Sequence, residues 1–136
     1  MPRIIVNIDV DDLERGIAFY RDALGLKLHR RLFGGRIAEL TAGDTLVHLL
    51  TKAPGTPAVA GGPPARNYGR HWTPVHVDLL VDDLEGAIER ACAAGAVREG
   101  GIREGEWGRI ATLADPFGHG LCLIELSARG YDAAEG

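Results

Sequence analysis

Residues 3–10 alternate strictly, with Ile4, Val6, Ile8 and Val10 on one face and Ile5, Asn7 and Asp9 on the other. Residues 75–81 repeat the pattern, with Val75, Val77, Leu79 and Val81 set against His76, Asp78 and Leu80. A period of two predicts a strand with one apolar face. Beyond each run the period changes. Leu13, Ile17, Tyr20 and Leu24 recur at helical spacing, as do Leu84, Ile88 and Ala91. Asp11 and Asp82 each stand three residues before a glutamate, Glu14 and Glu85. That spacing predicts an Asx cap with a carboxylate at the third helical position, a variant of the capping box. Gly25 and Gly95 fall where a helix C-terminus takes a left-handed residue. Three short strands are predicted after each helix, at 26–32, 35–41 and 44–51, and again at 97–103, 108–114 and 119–127. The breaks are Gly34-Gly35 and Ala42-Gly43-Asp44 in the first set, and Gly100-Gly101 and Asp115-Pro116-Phe117-Gly118 in the second.

The two sets are copies of one another. VDDLERGIAFYRDALGL (10–26) aligns with VDDLEGAIERACAAGAV (81–97), and Gly35-Arg36-Ile37-Ala38-x-Leu40 aligns with Gly108-Arg109-Ile110-Ala111-x-Leu113. The echoes keep their order and nearly their offset, as an internal duplication would. The predicted fold is α+β, two βαβββ repeats in one domain over 1–136: repeat one at 1–52, a connector at 53–73, repeat two at 74–128 and a tail at 129–136. The connector, rich in Pro, Gly and Ala, is either a plain linker or a flap over a ligand site carrying Tyr68, Arg70 or Trp72.

Composition narrows the function classes. The net charge of −4 and the lack of a Lys/Arg cluster argue against nucleic acid and anionic lipid as partners. No apolar run is long enough to span a bilayer, and no secretory signal is evident. Two cysteines, Cys92 and Cys122, make no disulfide framework, so reduced thiols and a cytoplasmic location are expected.

Asp12-Leu13-Glu14 followed by Phe19-Tyr20-Arg21-Asp22-x-Leu24-Gly25-Leu26, and the later Asp115-Pro116-Phe117-Gly118-His119, resemble motifs of the vicinal oxygen chelate (glyoxalase, bleomycin-resistance and extradiol dioxygenase) superfamily. The resemblance implies a concave mixed sheet that forms a cavity. It also implies a homodimer whose cavities are shared between chains, with His48 of one chain approaching His76 and Cys122 of the other. One such fold hosts isomerases, dioxygenases, transferases and non-catalytic drug binders, so function must be read from the site. In metal-dependent relatives four positions hold the ion, and here those positions carry Ile5, His48, His76 and Cys122. Ile5 cannot bind metal, and none of the four is a carboxylate able to serve as the base of a glyoxalase-type reaction.

Three functions are weighed. The favoured one is a small-molecule binder without metal, with an apolar cavity lined by Ile5, Leu46, Leu50, Leu80 and Ile124. The alternative is a lyase or isomerase of the glyoxalase type with a divalent metal, zinc being the most compatible, on His48, His76 and Cys122. The third is an accessory domain that serves assembly only. Candidate ligand-binding residues are Ile5, Asn7, Asp9, His48, His76, Asp78, Leu80, Trp107, Arg109 and Cys122. Trp107 is read as either a cap over the core or a wall for a ligand. Arg36 and Arg109, repeated in both copies, suggest a structural role, or a contact for an acidic ligand where one turns inward. Glu125 should face away from Cys122, His119 should support its turn, and His29 and His71 should lie on the surface.

Overall fold

The computed structural model describes residues 1–136. The chain divides into two compact units, Met1–Gly69 and Arg70–Gly136. In the first, β1 (Ile5–Val10), α1 (Leu13–Asp22), β2 (Lys27–Leu32), β3 (Ile37–Ala42) and β4 (Thr45–Thr51) form a sheet of order β1-β4-β3-β2. In the second, β5 (Val77–Leu80), α2 (Leu84–Ala93), β6 (Val97–Gly105), β7 (Gly108–Ala114) and β8 (Gly120–Leu126) repeat that order as β5-β8-β7-β6. The predicted eight strands and two helices are present, and a short 3-10 helix at Gly130–Ala134 adds to them. The opening strand of each unit runs parallel to the last one, β1 with β4 and β5 with β8, while the hairpin-linked strands are antiparallel. A parallel pair needs a crossover, and the helix with the two middle strands supplies it.

Alternation decides which face the helix covers. Val10, Ala38, Leu40, Val47 and Leu49 are buried in the first unit with Ile17 and Tyr20 of α1. In the second, Ala111, Leu113, Leu121 and Leu123 are buried with Leu84, Ile88 and Ala91 of α2. Each fully buried Leu or Val contributes about 1.5–3 kcal/mol relative to exposure. At Gly16 a Cβ would lie 3.2 Å from Val10 Cγ1 and 3.3 Å from Leu49 Cδ1, so the glycine lets α1 approach its sheet closely.

Two local expectations are corrected. The caps are Asp12 and Asp83, not Asp11 and Asp82; their carboxylates accept from the amides of Arg15 and Gly86 at 3.1 and 3.2 Å. Leu13 and Leu84 are pulled into the core as first helical residues, so the cap falls immediately before them. Glu14 and Glu85 then sit at the second helical position, and their carboxylates pair with Arg31 and Arg109 instead of closing a capping box. Gly100-Gly101 also does not end a strand. β6 runs through it with a shift in register between Glu99 and Arg103, and the hairpin closes at Gly105↔Gly108 around Glu106 and Trp107. Gly100, at φ 68°, takes up the irregularity.

The connector is divided between the units. Residues 52–69 fold onto the first, where Tyr68 Oη donates to the Lys52 carbonyl at 2.6 Å and Arg66 Nε meets Asp9 Oδ2 at 2.7 Å. Residues 70–73 fold onto the second, where the His71 amide donates to the Gly118 carbonyl at 2.9 Å. No helix is long and apolar enough to cross a membrane.

Candidate functional site

In each unit the residues that alternate with the core lie on the sheet face away from the helix, and they form one cross-strand row. In the first unit the register Asn7↔His48, Glu39↔His48 and Arg30↔Glu39 gives the row Asn7–His48–Glu39–Arg30. In the second, Asp78↔Cys122, Thr112↔Cys122 and Glu99↔Thr112 give Asp78–Cys122–Thr112–Glu99. The rows occupy matching places in the two repeats and carry different chemistry.

The first row is an ionic chain. Glu39, with only 4% of its side chain exposed, takes His48 Nε2 on Oε2 at 2.7 Å and Arg30 Nε on Oε1 at 2.8 Å. Arg30, and after it His48, hold the Glu39 carboxyl below the usual glutamate range. His29, exposed as expected, reaches Glu39 at 3.9 Å. Ile5 is half exposed, and Asp9 is engaged by Arg66. The four aligned positions lack a carboxylate, but this face does not. Glu39 was the unspecified residue between Ala38 and Leu40 in the repeated motif. Its one signal in the sequence was a charge amid apolar residues, on the phase opposite the core.

The second row gathers donors of three kinds. His76 Nε2 lies 3.1 Å from Asp78 Oδ1, and the ligand atoms of His76, Asp78 and Cys122 all lie within 4.8 Å of one another. Cys122 is 5% exposed. Burial, and then the Asp78 carboxylate, push its thiol above the ordinary range. This donor set suits zinc, which takes His, Cys and carboxylate ligands and keeps an open position in catalytic sites. Here His76 and Cys122 have Asp78 as their neighbour, while His48, the third residue of the set that the resemblance implies, lies in the first unit on Glu39.

Trp72 and Arg70 pack on the same row. The Trp72 ring meets His76 edge-on with centroids 5.4 Å apart, and the Arg70 guanidinium lies 4.8 Å from the Trp72 centroid. Arg70 pairs with Glu99, and Trp72 Nε1 donates to Glu99 at 3.4 Å. A Cβ at Gly120 would collide with the Trp72 ring, so the glycine makes room for it. Leu80, 63% exposed, lies at the open end of the same strand.

Other candidates stand elsewhere. Arg109 alternates with Ala111 and Leu113 toward the helix, where it bonds Glu85 and Glu125. Glu125 faces away from Cys122 as expected and accepts the Leu84 amide at 2.8 Å. Asp83, Glu85 and Glu125 also cluster, yet Arg109 and the helix amides already engage them. Trp107 stacks on Tyr131 with centroids 6.1 Å apart and rings 21° from parallel. His71 is not a plain surface residue. It is half-buried, its backbone bridges to His119, and its Nε2 lies 3.0 Å from His119 Nδ1.

The chain is similar to known proteins throughout this arrangement. It is 28% identical over 127 residues to an uncharacterised protein of Mycobacterium bovis, covering 87% of this chain and 79% of the relative. It resembles TnmS3, an antibiotic binding protein from Streptomyces sp. CB03234, with TM-score 0.66 and 24% identity over 93% of this chain and 97% of that one. A glyoxalase-related enzyme from Fulvimarina pelagi matches with TM-score 0.71 and 17% identity over 95% and 94% of the two chains. These likenesses to solved structures establish the shared fold. The Glyoxalase-like domain pattern spans residues 5–124 and so takes in both repeats with both rows. The chain therefore belongs to the glyoxalase-like domain family.

Proposed function

We propose that this chain binds a small organic molecule on the helix-free faces of its sheets and needs no metal to do so. The observation that carries the reading is the Asn7–His48–Glu39–Arg30 row. There His48 Nε2 is hydrogen-bonded to Glu39, and the preceding aligned position is the alkyl side chain of Ile5. A satisfied polar network beside exposed Ile5 offers a ligand oriented hydrogen bonds and apolar area, the usual make-up of a small-molecule site. The likeness to an antibiotic binding protein fits this reading. The test is a thermal-shift screen of metabolites and antibiotics, with elemental analysis of the purified protein. A stabilising ligand on protein with little stoichiometric metal supports it. Ile5→Trp, at an exposed position beside the row, should weaken that stabilisation more than it disturbs the fold.

A second reading is favoured by the convergence of His76, Asp78 and Cys122. Those three would hold zinc, which would supply Lewis-acid polarisation of a bound oxygen. Near one zinc per chain, lost in His76→Ala with Cys122→Ser, would replace the metal-free reading with this one. The likeness to a glyoxalase-related enzyme is compatible with it. In either case we take the working form to be a two-fold homodimer.

A further inference from the structure

A cavity of about 320 Å³ opens at the end of the β3–β4 ladder, lined by Phe33, Arg36, Ile37, Leu50, Thr51 and Lys52. Small-molecule sites begin at about that size. Ile37 and Leu50 are cross-strand partners and give it an apolar floor. Phe33 is 67% exposed and has φ 53°, in the left-handed region. A bulky residue is strained there, and folding gains little from an exposed ring. Phe33 and Gly34 (φ 66°) are the two central residues of the turn that the Gly35 amide closes on the Leu32 carbonyl at 3.1 Å, so the hairpin fixes that backbone and carries the ring exposed beside the cavity.

Comparison of the repeats supplies the charge. Arg36 and Arg109 occupy the same place in the duplicated motif. Arg109 is consumed by Glu85 and Glu125. In the first unit the place of Glu125 is taken by Thr51, and the counterpart of Glu85, Glu14, is bridged to Arg31 at 2.6 Å. Arg36 keeps one side-chain bond, from Nε to the Phe33 carbonyl at 3.1 Å, and neither it nor the adjacent Lys52 has an acidic partner. Two uncompensated cations thus border an apolar cavity in a chain whose net charge is −4.

We propose that this cavity binds a small organic carboxylate with an aromatic or aliphatic body. The carboxylate sits on Arg36 and Lys52, and the body lies between Phe33 and the Ile37–Leu50 floor. Arginine suits this because its planar fork meets a carboxylate with two parallel hydrogen bonds. The inference rests on the small-molecule reading above and adds the ligand's chemical class and its place in the first unit.

The test uses isotope-labelled protein at neutral pH and constant ionic strength, titrated with indole-3-acetate and with its neutral counterpart indole-3-acetamide. The acetate should shift the amide signals of residues 33–37 and 50–52 and bind at least tenfold more tightly than the acetamide. Lys52→Gln should weaken the acetate severalfold and leave the acetamide unchanged. Arg36→Gln with Lys52→Gln should bring the two probes level, and Phe33→Ala should weaken both. Equal binding of the probes, an unaffected double variant, or no binding of either probe overturns the proposal. Shifts centred on His76, Asp78 and Cys122 overturn it too, while leaving the general small-molecule reading in place. Failure of every organic ligand in the thermal screen would remove that reading separately.

Discussion

Asp115 opens the turn that leads into β8, and replacing it with alanine should destabilise the chain by about 2–4 kcal/mol, since a buried donor left unsatisfied costs about 1–3 kcal/mol. Asp115 is 3% exposed, and its Oδ1 accepts two backbone amides, from Phe117 at 2.8 Å and His119 at 2.9 Å. The Phe117 amide belongs to a residue only 1% exposed, so no water replaces the lost acceptor cheaply. The half-buried His119 amide regains part of its bond from solvent, which keeps the total below twice the single-group maximum. For cooperative unfolding of 136 residues, an unfolding entropy of about 2.1 cal/mol/K per residue converts this loss to a fall in Tm of about 7–14 °C. Asp115→Asn keeps the accepting oxygen and should lose less than about 1 kcal/mol, the worth of one weakened hydrogen bond. Urea denaturation followed by circular dichroism measures both variants. If the alanine variant matches the parent within error, or the asparagine variant is as unstable as the alanine one, the turn does not depend on this acceptor and the reasoning is wrong.

The duplicated caps should behave alike, with Asp12→Ala and Asp83→Ala each costing about 1 kcal/mol in the same urea assay; a loss at one site alone would contradict the equivalence of the two helices. The Cys122 thiol, raised by burial and by Asp78, should alkylate with iodoacetamide more slowly than an ordinary exposed thiol at neutral pH, and Asp78→Asn should speed it; mass spectrometry resolves it from Cys92. Glu85 is held down to about 2 by Arg109. Its stabilisation is therefore present above the ordinary glutamate value near 4.5 and fades as pH falls toward about 2. Glu85→Gln should flatten the acid limb of the stability–pH curve, and parallel curves would refute the assignment. Light scattering at micromolar concentration should give twice the 14.5 kDa chain mass; a monomer would overturn the dimer, whose motive includes the exposure of Ile4, Ile5, Val75 and Leu80.

The order of elements was legible because it rests on local periodicity. Alternation in 3–10 and 75–81, helical spacing after each, and a motif repeated in the same order specify two βαβββ units. They also specify which side chains of the opening strands lie away from each helix, so Ile5, Asn7, His76 and Asp78 were assigned to those faces by alternation, whereas Cys122 was assigned by the family resemblance. Strand register decided the rest, because pairing joins residues that no local pattern links. Glu39 and His48 became partners only when β3 and β4 aligned, and His71 met His119 across 48 positions. The same holds for Asp78, which joined Cys122 through the parallel β5–β8 pairing. Arg36 and Arg109 are identical in the repeated motif, yet one is neutralised by two glutamates and the other is not. That difference depends on which residue the neighbouring strand sets opposite, Glu125 in one unit and Thr51 in the other. Side-chain identity limits the chemistry available, and the three-dimensional pairing determines which of it is already spent inside the fold and which is left for a ligand.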